Sequence, residues 1–291
     1  MGPSREKREG AVFSRIEEIF VMIGIFDSGF GGLTVLKRIV ERLPQYDYLY
    51  LGDNARAPYG GRSEAIVFEF TRQAVEFLFK RSCPLIIIAC NTSSAKALRK
   101  IQQEILPRSY PERRVLGVIR PSVEKIAEGT RSRNVGVLAT EGVVLSDAYI
   151  KELEKLDPVI TVHQQACPLL VPIIEAGEQD WEGTGMIVRR YLAELLARAP
   201  SIDTLLLACT HYPILYDLFR KSVPQNIRIL EQGPIVAEKL EDYLSRHPEI
   251  ERRLGRAKKR LFMTTDTSEK FDRLAQVFYG QPVESLLISL D

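Results

Sequence analysis

The sequence predicts an α/β protein of two similar, pseudo-symmetric α/β domains, each on a mainly parallel sheet, with the active site in the cleft between them. Three observations predict it. Short apolar, β-branched runs read as buried strands, and each passes through a small polar turn into a helical pattern. Two of these runs end alike, in Ala89-Cys90-Asn91-Thr92 and Ala208-Cys209-Thr210-His211. Two others open alike: Ile23-Gly24-Ile25-Phe26 stops at Asp27, and Val135-Gly136-Val137-Leu138 stops at Thr140. They lie about 63 and about 69 residues before the two cysteines, a weak internal repeat. The expected division is an extension over residues 1–20, a first domain of 21–114 with 229–291, and a second of 115–228.

Composition narrows the class. Of 291 residues, 45% are hydrophobic and 27% charged, as in a globular protein long enough for two domains. A net charge of +2 makes no general case for nucleic acid or a membrane surface. No apolar run approaches the length of a membrane span. Residues 1–20 lack the apolar stretch of a signal peptide and read as a tail or an added helix. The four cysteines, Cys83, Cys90, Cys167 and Cys209, have no C-x-x-C spacing, so reduced thiols in a cytoplasmic protein are expected. Only His211 lies close to a cysteine, so no metal is expected.

The elements follow in order. Val21 to Phe26 reads as the first strand, and its Asp27-Ser28-Gly29 turn opens a helix over about 33–43. The glycines allow close backbone approach. The pattern is not G-x-G-x-x-G, and Asp27 repels phosphate, which excludes a dinucleotide fingerprint. Asp27 suits a plain turn or cap equally well on local grounds. A strand at 46–51 leads into the loop Gly52 to Gly61, in which Tyr59-Gly60 either lines a pocket or anchors the loop. Ser63 caps a long helix to about Arg81, with Phe68, Phe77 and Phe79 as core. Leu85-Ile86-Ile87-Ile88 is a buried strand, and Cys90 stands where it gives way to a helix running to about Leu106, broken by Pro107 and Pro111. Helix N–H groups there favour anions and lower a thiol's pKa.

Beyond, Val115 to Ile119 reads as a strand ending at Arg120-Pro121-Ser122, a helix follows, Asn134 to Ala139 reads as the next strand, and a helix runs over about 146–155. Val159 to His163 is a strand in which His163 is a satisfied strand histidine. Ala166 to Glu175 is an unusual apolar segment, and Glu175 is either a solvated helix end or the partner of a histidine. Gly183-Thr184-Gly185 precedes a helix to about Ala199, and a helix follows Cys209 to about Lys221. Ile227 to Leu230 is a strand, followed by a helix to about Arg246. The basic run from Glu251 to Arg260 is a solvated face or hairpin loop. A strand at 261–265 and a helix over 268–279 complete the chain.

Two thiols in matching turns suit few reactions. Acyl transfer needs one thiol, a base and an oxyanion hole. A redox pair needs both sulfurs within bonding reach. Two thiols held apart act as base on one face of a carbon and acid on the other, which inverts a stereocentre. Ser28, Asn91, Thr92, Thr140 and Thr210 supply donors for a carboxylate or a developing carbanion. A binding protein for amino acids needs neither thiol.

The ordered motifs resemble the cofactor-independent aspartate/glutamate racemase superfamily, and within it the glutamate racemases. They are Gly24-Ile25-Phe26-Asp27-Ser28-Gly29, Gly31-Gly32-Leu33-Thr34-Val35, Gly52-Asp53, Pro58-Tyr59-Gly60, Ala89-Cys90-Asn91-Thr92, Ala166-Cys167-Pro168-Leu169 and Ala208-Cys209-Thr210-His211-Tyr212-Pro213. The resemblance implies Cys90 and Cys209 as acid/base thiols, Cys90 acting on the D- and Cys209 on the L-enantiomer. It implies that Asp27 assists Cys90, and that His211, oriented by Glu175, assists Cys209. Asp27, Ser28, Tyr59, Gly60, Asn91, Thr92, Thr140, Thr210 and His211 are implied to bind substrate. It further implies glutamate as substrate, no cofactor, a homodimer, and a role in supplying D-glutamate for peptidoglycan in a bacterial cytoplasm. One departure stands out. The family usually carries Gly-Thr-x-x-Thr after its second opening strand, and here Val143 takes the place of the last hydroxyl.

Overall fold

A computed structural model describes residues 20–290, so all but the last residue of the expected extension lies outside the described residues. The chain forms two sheets in which every paired strand is parallel. The first holds β1 (Ile23–Asp27), β2 (Tyr48–Gly52), β3 (Leu85–Ile88), β4 (Arg114–Gly117), β9 (Arg260–Thr264) and β10 (Ser285–Leu287), in the order β10-β9-β2-β1-β3-β4. The second holds β5 (Asn134–Ala139), β6 (Thr161–Ala166), β7 (Thr204–Ala208) and β8 (Arg228–Glu231), in the order β6-β5-β7-β8. The chain thus passes from the first sheet to the second after β4 and returns after β8.

The central strands β1, β2, β3 and β7 are buried at every residue, which is why they read as unbroken apolar runs rather than alternations. Alternate residues face different cores. Ile23, Ile25, Leu85 and Ile87 join a cluster that continues through Leu205 and Leu207 of the second sheet. Phe26, Leu49, Ile86 and Ile88 face the other side of the first sheet. Ser63 caps helix Glu64–Lys80 as expected, accepting from the Ile66 N–H. His163 is half-buried in β6 and bonded to the Asn134 side chain. The basic run is committed to structure: Arg256 pairs with Glu251, and Arg260 donates to the carbonyls of Pro44 and Tyr46.

Several boundaries differ from the sequence reading. The helical stretch after Cys90 does not stop at Pro107. It breaks at Ala97, widens into a π-turn over Ile101–Ile105 and ends at Ser109. Pro107 falls in the first turn after the π segment, where its missing N–H costs little. Similarly, Pro121 lies within the first turn of helix Ile119–Gly129, so β4 ends at Gly117 rather than Ile119. A helix Glu141–Ser146 precedes the expected one, and Asp147, at positive φ, separates it from helix Ala148–Leu156. The β-branched pair Val143-Val144 disguised it locally, but Val143 is buried among Ile119, Val123 and Val137. β6 lies two to three residues later than read, because Asp157-Pro158 forms a turn first. The glycines 183 and 185 are inside helix Glu182–Arg198, not before it. After Cys209 the chain makes a 3-10 turn, Tyr212–Leu215, before helix Tyr216–Ser222.

Candidate active site

The named side chains gather at one rim because all the strands run the same way. Asp27 ends β1, Cys90 follows β3 by two residues, Thr140 follows β5, Cys167 follows β6 and Cys209 follows β7. In parallel α/β sheets this carboxyl end is where ligands bind. The rims of the two sheets enclose a cavity of about 200 Å³. Its lining includes Ser28, Tyr59, Gly60, Cys90, Asn91, Thr92, Thr140, Cys209, Thr210 and His211. Among the expected site residues, only Asp27 and Glu175 stand behind this lining rather than in it.

Each thiol has its own partners. Cys90 Sγ lies 3.5 Å from Ser28 Oγ and accepts from the Ser93 N–H at 3.4 Å. The helix N-terminus therefore does point at the sulfur. It does not lower the thiol: burial, joined by the nearby Asp27 carboxylate, pushes Cys90 up to about 11. Desolvation outweighs the hydrogen bonds from Ser28 and Ser93 because the thiol is buried. Asp27 is itself almost fully buried, and burial raises its carboxyl above the usual range against the pull of His211 and the Gly29 N–H. The Gly29 N–H donates to Asp27 Oδ2 at 3.0 Å, and Thr210 Oγ1 donates to Oδ1 at 3.4 Å.

Across the cavity, His211 Nδ1 lies 3.9 Å from Cys209 Sγ, while Nε2 meets Glu175 Oε1 at 2.9 Å. Glu175 is therefore the histidine's partner rather than a solvated helix end. Burial works against a charged ring, but Cys209 and Glu175 overcome it and hold His211 up at about 10. The folded chain thus keeps a proton that an unfolded histidine loses near 6.5. The resulting stabilisation is whole below about pH 6.5 and is lost as pH rises through about 10. We expect the unfolding midpoint of the wild type to fall from pH 7 to pH 10 more steeply than that of His211→Gln. Parallel thermal-melt profiles contradict this.

Hydrogen bonds tie the two lobes together beside the cavity. Thr92 Oγ1 lies 3.2 Å from Thr140 Oγ1, and the Gly142 N–H donates to Gly60 O at 2.9 Å. Thr34 Oγ1 donates to Thr210 O at 2.9 Å. Gly31 approaches so closely that a Cβ there would overlap Thr210 Oγ1 and His211 Nδ1. Tyr59 serves in both ways considered: it lines the cavity, and its hydroxyl donates to the buried Asp53 carboxylate. Arg56 pairs with that same carboxylate at 2.7 Å.

Val143 is fully buried in the core and does not line the cavity. Its exchange for a hydroxyl therefore leaves the lining unchanged. The wall formed by Cys167, Pro168, Val171 and Pro172 had no role in the sequence reading. Its signal was the apolar segment itself, with two prolines where a plain core helix has none. Among the described residues, no three His, Cys, Asp or Glu side chains group as metal ligands, and no helix is long and apolar enough to cross a membrane.

Two lobes of parallel sheet meet at one small cavity, with a thiol brought in by each, and the proteins this chain is similar to are racemases, which are isomerases. Residues 23–240 match the family described as Asp/Glu/Hydantoin racemase. The chain belongs to that family. It is 39% identical over 258 residues to a glutamate racemase of Geobacter metallireducens, covering 89% of this chain and 92% of the relative. It is 41% identical over 238 residues to one of Ruegeria pomeroyi, covering 78% and 87%. Among solved structures, a glutamate racemase of Bacillus anthracis superposes with a TM-score of 0.84 at 33% identity, covering 92% of this chain and 97% of that one. One of Francisella tularensis, in complex with D-glutamate, gives 0.83 at 32%, covering 94% and 99%.

Proposed function

We propose that this protein interconverts L- and D-glutamate without a cofactor, using Cys90 and Cys209 as the two acid/base groups. The observation that carries the reading is that each thiol lines the same cavity beside a different proton partner. One thiolate takes the Cα proton from one face of the substrate, and the other thiol delivers its S–H proton to the opposite face. The electron pair left on carbon is held by the α-carboxylate and the donors of Ser28, Thr92, Thr140 and Thr210, while Asn91 seats the carboxylate. Asp27 serves Cys90, and His211 with Glu175 serves Cys209. Those roles rest on the arrangement described and on the likeness to glutamate racemases.

The lobes carrying the thiols are the expected 21–114 with 229–291 and 115–228, with the boundaries moved to 117/118 and 231/232 so that β4 stays whole in the first sheet and β8 in the second. Product D-glutamate suits peptidoglycan synthesis in a bacterial cytoplasm, and a homodimer is the assembly read from the family likeness. The test is proton NMR of L- and of D-glutamate in D2O with the protein and no additive, alongside circular dichroism. Loss of the Cα–H signal together with decay of optical activity is expected. A folded protein that exchanges neither enantiomer overturns the reading.

A further inference from the structure

Behind Asn91 lies a buried polar ring that neither thiol uses. Asn91 Nδ2 donates to Gln232 Oε1 at 2.5 Å. Gln232 Nε2 lies 2.9 Å from Tyr149 Oη and 3.0 Å from Ser122 Oγ. Tyr149 Oη in turn lies 2.6 Å from Asn91 Oδ1. Ser122 Oγ donates to the Val118 carbonyl at 2.7 Å. All four side chains are buried.

The direction of every bond follows from that last contact. A carbonyl only accepts, so the Ser122 hydroxyl must give its proton to Val118 and accept from Gln232. Gln232 then spends its second N–H on Tyr149, whose own proton goes to Asn91 Oδ1. The Asn91 carbonyl, which Gln232 Nε2 also approaches at 3.2 Å, is thereby occupied, and its amide cannot turn over without breaking its bonds to Tyr149 and Gln232. One Asn91 N–H remains that no described residue accepts, on a side chain that lines the cavity. The ring also spans the lobes. Asn91 follows β3 of the first sheet, Tyr149 and Ser122 lie in helices flanking the second, and Gln232 opens the helix after β8.

We infer that Gln232 and Tyr149 are positioning residues: they lock the Asn91 amide so that it presents an N–H donor, and so a seat for a substrate carboxylate oxygen, to the cavity. The inference rests on the cavity's being the racemisation site. Such a donor holds ground state and transition state alike, so its loss raises KM and leaves kcat nearly unchanged.

The experiment measures kcat, KM and melting midpoint for wild type, Tyr149→Phe, Gln232→Ala, Asn91→Ala and Asn91→Ala/Tyr149→Phe, with glutamate. Tyr149→Phe and Gln232→Ala are expected to raise KM by about tenfold, the effect of one good hydrogen bond, with kcat within about twofold. In the Asn91→Ala background, Tyr149→Phe is expected to change KM no further. A melting midpoint lowered by Tyr149→Phe with KM unmoved overturns the inference, because it describes a merely structural ring. Equal KM effects of Tyr149→Phe with and without Asn91 overturn it as well. A folded wild type with no turnover overturns the proposed function and this inference together, whereas the other two failures overturn the inference alone.

Discussion

Cys90→Ala and Cys209→Ala are each expected to lower racemisation at least about a thousandfold in both directions, since neither route has a second proton carrier. The two variants are also expected to differ in what survives. With Cys90 gone, Cys209 still reaches one face of Cα and can return a solvent deuteron to that same face. Exchange with retention should then persist slowly in L-glutamate alone, and in D-glutamate alone for Cys209→Ala. Proton NMR in D2O beside polarimetry separates exchange from inversion. Racemisation above a thousandth of the wild-type rate in either variant rules out the two-thiol route. Exchange of both enantiomers by one variant rules out one thiol per face. Both thiols are almost fully buried, so stability should be read in parallel, but removing a single sulfur leaves too small a void to unfold a domain of this size.

Gly31→Ala is expected to lower kcat/KM on the order of a hundredfold while the fold survives, because misplacing a catalytic group by about an ångström has that effect. Gly31 has φ −57° and ψ −37°, so alanine fits its backbone without strain. The added methyl overlaps Thr210 Oγ1 and His211 Nδ1, and no backbone atom is among its nearest contacts. It must therefore push the His211 ring from Cys209 or Thr210 from Asp27, from the far lobe's side of the cavity. Steady-state kinetics with either enantiomer checks this, since an equilibrium constant of unity requires the same loss of kcat/KM in both directions. Undiminished activity shows that the lobes stand further apart in solution at this point.

The strands and the site cysteines were legible because their causes are local. An unbroken apolar run followed by a cysteine and capping residues specifies a buried strand, a rim and a helix start within a dozen residues. What was not legible depends on partners far along the chain. Helix Glu141–Ser146 holds its place because the Gly142 N–H meets Gly60 and Val143 fills a core, and no window of sequence contains both. The raised Cys90 thiol follows from burial, where local reading weighed only the helix N–H groups. Gln232 joined nothing until the fold placed it against Asn91, 141 positions earlier. Pro107 and Pro121 misled for a different reason: proline marks a boundary, but it does not say on which side of the boundary the helix lies.

Under the proposed two-thiol route, a cavity bounded by Thr92 and Thr140 on one flank and by Gly60 and Gly142 on another gives the enzyme a short memory. Once each thiol has handled one proton, that route leaves the two thiols with their protons exchanged. The protein that has just released one enantiomer is dressed to receive that enantiomer again, not the one it began with. It forgets only by trading protons with water. At high substrate concentration, then, the pace of one-way conversion is set by how fast the empty protein forgets.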